Sequence, residues 1–265
     1  MSATRRSREQ RSPEAGRTER IRPSAGGAAV TSGTLYVVPN LLGVIPPERV
    51  LPAHTIEVAR GLTRYVVENA KPARAFLSSL SAKLPIREIG IEELGTSPSA
   101  ARCSELLAPA RNGVDIGLLS DAGCPGIADP GALIVAQAHR DGIAVVPLVG
   151  PSSVLLALMA SGMNGQGFAF HGYLPVKADA RTAAIQALEA ASQRTGHAQI
   201  FIETPYRNGA LLAALAASCK PSTRLCVAAD LTLPTESIVS KSIGEWRGAD
   251  GAVYARRPAI FVLQA

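Results

Sequence analysis

GLLSDAGCPGIADPG, residues 117–131, is the stretch whose reading decides the fold. Gly117, Leu118 and Leu119 close a short apolar run, and the polar pair Ser120-Asp121 follows at once, as where a buried strand ends. Gly123, Gly126 and Gly131 then alternate with Pro125 and Pro130. The glycines let the backbone approach a ligand closely, and the prolines stiffen the loop without adding donors. In open parallel sheets, ligands sit beyond the carboxyl ends of the strands. Asp121 and the loop amides are therefore candidates to hold a polar or cationic ligand, and a rigid connector with no ligand is the plain alternative. The GxGxxG spacing of a dinucleotide fingerprint is absent.

Working outward, apolar runs and amphipathic stretches alternate. Before the loop, strands are expected at residues 35–38, in RYVVENAK (64–71) and in PIREIGI (85–91), and helices over 54–62, KPARAFLSSLSAKL (71–84) and SAARCSELLAPARNG (99–113), the last closed by Gly113. After it come a helix in GALIVAQAHRDG and a buried strand in IAVVPLVGPSS. Beyond Pro151 the pattern continues with helices in SVLLALMASGM, ARTAAIQALEAAS and GALLAALAAS. Strands are expected there in FAFHGYLP, AQIFIETPYR, TRLCVAADLT and RPAIFVLQA. The alternation argues for parallel βαβ units throughout and an α/β fold. The boundary between two α/β domains falls near Val146–Pro151, giving 33–148 and 149–265.

Composition agrees with this fold class. The chain has 265 residues, 47% hydrophobic but only 4% aromatic, so Val, Leu, Ile and Ala must fill the interior, as suits buried parallel strands under Ala/Leu-rich helices. Net charge is +6, of which residues 1–22 carry +4 through seven Arg against three Glu. Residues 1–32 are rich in Ser, Pro, Gly and Arg and poor in large apolar side chains, so a disordered basic leader is expected there; such a tail could also touch a phosphate backbone. No apolar run behind a basic start marks a signal peptide, and VLLALMASGM is too short for a span of about 20 residues, so a cytoplasmic protein is expected. Cys103, Cys124, Cys219 and Cys226 form no CxxC pair and the histidines are scattered, so no metal is expected and the thiols are read as free.

Two further segments follow strand ends. VVPLVGPSS (145–153) offers Ser152 and Ser153 at a helix start, where either could touch a ligand or simply cap the helix. IFIETPYR (200–207) places Glu203, Thr204 and Arg207 just past a strand, as a site edge or as a surface ion pair.

Together these segments resemble the tetrapyrrole methylase superfamily, the class III S-adenosylmethionine-dependent methyltransferases. Within it the chain is most similar to the bacterial branch that methylates a ribose 2′-hydroxyl of 16S ribosomal RNA. That branch reads SDAGTPxxxDPG, VVPLPGPSA, GFLP, FYESPHR and ARELT in order. This chain reads SDAGCPGIADPG, VVPLVGPSS, HGYLP, FIETPYR and AADLT. The resemblance covers the chain from Gly33 onward. It departs in three places: PNLLGV (39–44) stands for TPIGNL, Glu68-Asn69-Ala70-Lys71 for EDTR, and Arg256-Arg257-Pro258-Ala259-Ile260 for a KGE start of the last strand.

The resemblance implies a folded S-adenosylmethionine in a cleft between the domains. By position its contacts are Ser120, Asp121, Ala122, Ile127, Ser152 and Ser153, with Thr204, Ala229, Leu231, Pro258, Ala259 and Ile260 contributing from the C-terminal domain through backbone groups. It also implies a homodimer and RNA as substrate. A ribose hydroxyl must lose a proton as it is methylated. Glu68 and Asp121 are candidate bases, Lys71 could favour the alkoxide by its charge, and Arg207 could hold a phosphate. Two other readings stay open: a small-molecule, tetrapyrrole-type methyltransferase, motivated by Pro258-Ala259-Ile260, and a cofactor-binding paralogue without catalysis, motivated by Asn69 and Ala70.

Overall fold

A computed structural model describes residues 32–265, so the basic leader expected over 1–32 lies, but for its last residue, outside the described residues. The first five strands are β1 (Thr34–Val38), β2 (Arg64–Val67), β3 (Gly90–Glu93), β4 (Ile116–Leu119) and β5 (Ala144–Pro147). They form one sheet in the order β3-β2-β4-β1-β5, every pair parallel. All four residues of β4 are buried, as a central parallel strand covered on both faces requires.

Helices α1 (Ala53–Gly61) and α2 (Ala70–Ser79) cover one face; Ala59, Ala73, Phe76 and Leu77 pack there with Val38, Tyr65, Val67 and Leu119. Helices α3 (Ala100–Leu106), α4 (Ala108–Arg111) and α5 (Gly131–Arg140) follow β3 and β4; Cys103 and Leu106 of α3, Ala110 of α4 and Ile134 and Ala138 of α5 pack on the other face with Leu35, Val66, Ile116 and Leu118. Neighbouring β1 and β4 thus send their chains to opposite faces. Between their carboxyl ends lies the switch point where such sheets bind ligands. Gly117 serves packing: a Cβ there would lie 2.4 Å from the Tyr65 ring, whose hydroxyl donates to the Ala59 carbonyl.

The second sheet has strands β6 (Phe168–Tyr173), β7 (Ala198–Ile202), β8 (Arg224–Ala229), β9 (Ser237–Ser242) and β10 (Ala259–Gln264), in the order β6-β7-β10-β8-β9. Only β6 and β7 run parallel; β10 is antiparallel to β7 and to β8, and β9 to β8. This corrects the expectation of parallel units throughout: β9 returns beside β8 over a short connection with no helix, and β10, which follows β9 after residues 243–258, inserts antiparallel between β7 and β8. On one face, α7 (Ala178–Thr195), α8 (Asn208–Ser218) and α9 (Ile243–Trp246) bury Ile185, Leu211, Leu212, Ile243 and Trp246 against Phe201 and Phe261, whose rings stack at 5.8 Å. On the other, α6 (Ser153–Ser161) packs Val154, Ala157 and Leu158 against Ile200, Cys226, Ile260 and Val262.

Three local expectations also change. The helix read over 99–113 breaks at Leu107 into α3 and α4, with Pro109 in the first turn of α4. In PIREIGI, residues 86–88 form a turn of 3₁₀ helix and the strand starts at Gly90. The strand read as buried in IAVVPLVG is β5, an edge strand with Ala144, Val146 and Pro147 exposed. The pair β9 and α9 carried no sequence expectation.

Candidate functional site

The loops leaving β1, β2, β4 and β5 meet at the switch point. Asn40, next but one after β1, is 5% exposed and acts as a cross-brace. Its Nδ2 donates to the carbonyls of Ser120 and Asp121, each at 3.0 Å, and its backbone N–H donates to Gly123 O at 2.9 Å. The two chain exits that diverge at the crevice are thereby pinned together.

The loop after β4 keeps its shape by local means. Gly123 and Gly126 have φ of +70° and +85°, in the left-handed region, and so does Ala128 at +66°. The Asp129 carboxylate accepts from the N–H groups of Gly126 (2.9 Å) and Gly131 (2.7 Å), clamping the loop where α5 begins. The Cys124 thiol donates to the Pro151 carbonyl at 3.5 Å, tying this loop to the one after β5. Ser152 occupies the cap position of α6, but its side chain makes no capping bond.

Beside the loop lies a cavity of about 50 Å³. Ala122 to Cys124, Ile127 and Ala128 form one wall, Ser152 to Val154 a second, and Phe170 and Ile202 of the second sheet a third. Four residues read as cofactor contacts (Ala122, Ile127, Ser152, Ser153) line this slot. Asp121 precedes it in the chain, and Ser120 is buried, its hydroxyl donating to the carbonyls of Ala122 and Gly123. An apolar slot with a flexible-φ loop, two hydroxyls and a carboxylate at its lip fits a nucleoside carrying a charged amino-acid tail. Ordinary ligand pockets hold roughly 300–1,000 Å³, so the slot has room for only part of such a ligand.

The residues expected from the second sheet are arranged differently. Strands β7 and β8 end, and β10 begins, at one edge: Ile260 stands opposite both Ile202 and Ala228, and the Pro258 carbonyl accepts from Asp230 N–H at 2.9 Å. Leu231 and Ile260 belong to the apolar cluster that Phe170 and Ile202 join, on the slot side. Ala229 and Ala259 turn their side chains into the opposite cluster under α8, so only their backbone faces the edge. Pro258 is exposed and Thr204 half-buried, its N–H held by Glu203 Oε1 at 2.6 Å. None of these six lines the slot. Phe170 and Ile202 do, and went unread in the sequence; their alternate spacing with Phe168 and Ile200 was visible, but not which face of the sheet looks into the cleft.

At the lip, the candidate catalytic residues Glu68 and Asp121 come together. Asp121 N–H donates to Glu68 Oε2 at 3.1 Å, and Asn69 Nδ2 donates to Asp121 Oδ2 at 2.6 Å. The Glu93 carboxylate accepts from Ala70 N–H at 2.7 Å and so anchors the start of α2. Burial pushes the Glu68 carboxyl above its ordinary range; the Asp121 N–H opposes this, and the charges of Asp121 and Asp129 add to it. Lys71 is exposed, one residue into α2.

Arg207 stands apart from this group. Its Nε and Nη2 both reach Glu203 Oε1, at 3.0 and 2.6 Å. Burial raises the Glu203 carboxyl, but the hydrogen bonds from Arg207 and Thr204 outweigh that and hold it below its ordinary range. Two of the guanidinium's donor groups are therefore committed to an internal pair, and a phosphate would meet only the remainder. Among the described residues, no group of three His, Cys, Asp or Glu side chains is placed to hold a metal ion, and no helix is long and apolar enough to cross a membrane.

Comparisons with known proteins agree with this architecture. Residues 58–246 match the family model described as tetrapyrrole (corrin/porphyrin) methylases. The chain is similar to the ribosomal RNA small subunit methyltransferase I of Neisseria meningitidis serogroup B, 30% identical over 82% of this chain and 70% of that one. It is likewise similar to the protein of that name from Micromonospora olivasterospora, 37% identical over 70% of this chain and 56% of that one. Among solved structures, the methyltransferase CobJ superposes with a TM-score of 0.60 at 16% identity, over 88% and 94% of the two chains. Uroporphyrin-III C-methyltransferase from Thermus thermophilus, complexed with S-adenosylhomocysteine, gives 0.54 at 18%, over 88% and 97%.

Proposed function

The chain belongs to the tetrapyrrole methylase family and is a methyltransferase, and on that premise we propose that it methylates a ribose 2′-hydroxyl of small-subunit (16S) ribosomal RNA with S-adenosylmethionine. The relatives' shared name supports the acceptor class. The observation that carries the chemistry is the Glu68–Asp121 pair at the lip of the slot, fixed by Asn69.

When bound, S-adenosylmethionine supplies a methyl group on a positively charged sulfur. The chain's residues align the acceptor and manage its proton. Ala122, Ile127, Ser152 and Ser153 hold the nucleoside part in the slot, and Ser120 and Asp121 meet its polar tail. Thr204, Leu231, Ile260 and the backbone at Ala229, Pro258 and Ala259 close the second-sheet side. Glu68 takes the proton from the ribose hydroxyl: a carboxylate whose affinity for a proton is raised by burial is the better base near neutral pH. Asp121, held by Asn69, orients that hydroxyl, and Lys71 lends positive charge to the developing alkoxide. Asn69 thus has a positioning task, and its presence does not argue for lost catalysis.

Residues 33–148 and 149–265 act as the two halves of the cleft. Exposed Leu155 and Met159 on α6, with Val146 and Val149 around the end of β5, form the apolar surface for a homodimer; Met159→Glu should convert a dimer to a monomer in light scattering. The function is tested by incubating purified protein with methyl-labelled S-adenosylmethionine and either deproteinised small-subunit RNA or assembled small subunits. Label at a ribose hydroxyl is the expected result. Label only on a porphyrinoid from a small-molecule panel, with RNA unmarked, rejects the reading.

A further inference from the structure

The corner where β6 and β7 end carries an unusual side-chain set. Only 4% of the chain is aromatic, yet Tyr173 and Tyr206 are 58% and 81% exposed there, while Tyr65 and Tyr254 are buried and Tyr36 is half-buried. Tyr173 closes β6 opposite Ile202, and Tyr206 lies in the 3₁₀ turn Pro205–Arg207 that follows β7. Tyr173 and Arg207 are close enough that a charge on the phenol oxygen would favour the protonated guanidinium. Exposed Arg256 is joined to this turn, its N–H donating to the Pro205 carbonyl at 3.1 Å with φ at +63°. A non-glycine residue in the left-handed region is costly, and such strain persists where the surrounding structure imposes it. Lys177, exposed at the start of α7, adds a further cation. The slot-lining Ile202 is in the same strand end, so the corner borders the proposed cofactor site.

We propose that Tyr173 and Tyr206, flanked by Arg207, Arg256 and Lys177, form a stacking platform for an unpaired nucleotide of the RNA substrate, next to the one that is methylated. This rests on the RNA reading above and adds the surface that recognises the RNA. Sequence-tolerant capture of single strands combines aromatic faces with positive charge along the backbone, and each stacked base adds to the affinity. At the turn itself the acids are paired, Glu203 with Arg207 and Asp230 with Arg257 at 2.8 Å; exposed Asp179, two residues beyond Lys177, is the acid nearest in sequence to that lysine.

The test measures binding of a fluorescent single-stranded oligoribonucleotide of mixed sequence, and the KM for small-subunit RNA, in the full chain. Tyr206→Ala should weaken both about tenfold, and Tyr173→Ala somewhat less. Tyr206→Phe should restore wild-type values, because it keeps the ring. Arg256→Gln should reduce the slope of log affinity against log salt by about one, since one phosphate contact is lost. Affinity for S-adenosylhomocysteine and the circular dichroism spectrum should not change in any of them. Unaltered RNA binding in Tyr206→Ala overturns the platform, and so does a change of oligomeric mass in that variant, which would give the surface to a second copy. If the wild-type chain binds the oligoribonucleotide with these tyrosine effects but methylates only a small molecule, the platform stands and the RNA-methylation reading fails. If the wild type binds no RNA, both fall.

Discussion

The rim of the first sheet is polar and braced, whereas the rim of the second is apolar and ends in an aromatic corner. In the first, Asn40, Asn69, Glu68, Asp121 and Asp129 bind one another or the loop backbone. In the second, Phe170, Ile202, Leu231 and Ile260 supply shape, and Glu203 and Arg207 of the turn are paired with each other. The difference follows from topology. Five parallel strands deliver every loop to the same edge, so polar residues placed after strand ends must assemble there. The mixed sheet brings only some of its ends to that edge, and its contribution is a wall. The function proposed above accordingly assigns the chemistry to the first rim and the holding of ligand to the second.

The division breaks most plainly at Glu68. Glu68→Gln should lower kcat by about 10²–10⁴-fold, the usual worth of a general base, with affinity for S-adenosylhomocysteine nearly unchanged. Activity above a tenth of wild type would move the proton transfer elsewhere. The brace comes next. Asn40→Ala strips two carbonyls and a buried loop of their partner and should cost about 1–3 kcal/mol in chemical denaturation, with weaker nucleoside binding. A loss of stability with unaltered binding would make Asn40 a purely structural residue.

A glycine pair sharpens the same comparison. Gly117→Ala drives a methyl into the Tyr65 ring and should cost about 1–3 kcal/mol. Gly172→Ala, in open space but at φ +64°, should cost only about 1 kcal/mol. Equal losses would contradict the packing role assigned to Gly117.

The smallest effect is a displacement in pH. Glu68 works deprotonated, so kcat should rise with pH through a value above the ordinary carboxylate range. Asp121→Asn removes a charge that raises that value, so the acid limb should move to lower pH. A shift to higher pH would contradict the pairing. The same raised carboxyl means the folded chain binds its proton more tightly than the unfolded one. Its contribution to stability accordingly declines as pH rises from the ordinary carboxylate range through the raised value.

Much of this was legible before any coordinates. Strand-then-polar segments such as Leu119-Ser120-Asp121 and Val67-Glu68-Asn69 can be located one at a time, and parallel topology does the rest. The second half resisted for physical reasons. Antiparallel β8 and β9 lack the helix between strands that makes a βαβ unit readable, the α-helix before β10 is a single turn, and β9, SIVSKS, is too polar to announce itself. Ala229 and Ala259 were read as contacts by position alone, and which face their side chains take depends on register across β8 and β10. Asn40 was hidden because its partners lie some 80 residues away in the chain.

Cys124 offers the most direct test that the loop after β4 receives the cofactor. It is half-exposed in the slot wall, while Cys103, Cys219 and Cys226 are buried. The rate at which a maleimide modifies Cys124 should fall severalfold when S-adenosylhomocysteine is saturating. Modification at an unchanged rate, with calorimetry showing the nucleoside bound, would place the cofactor elsewhere.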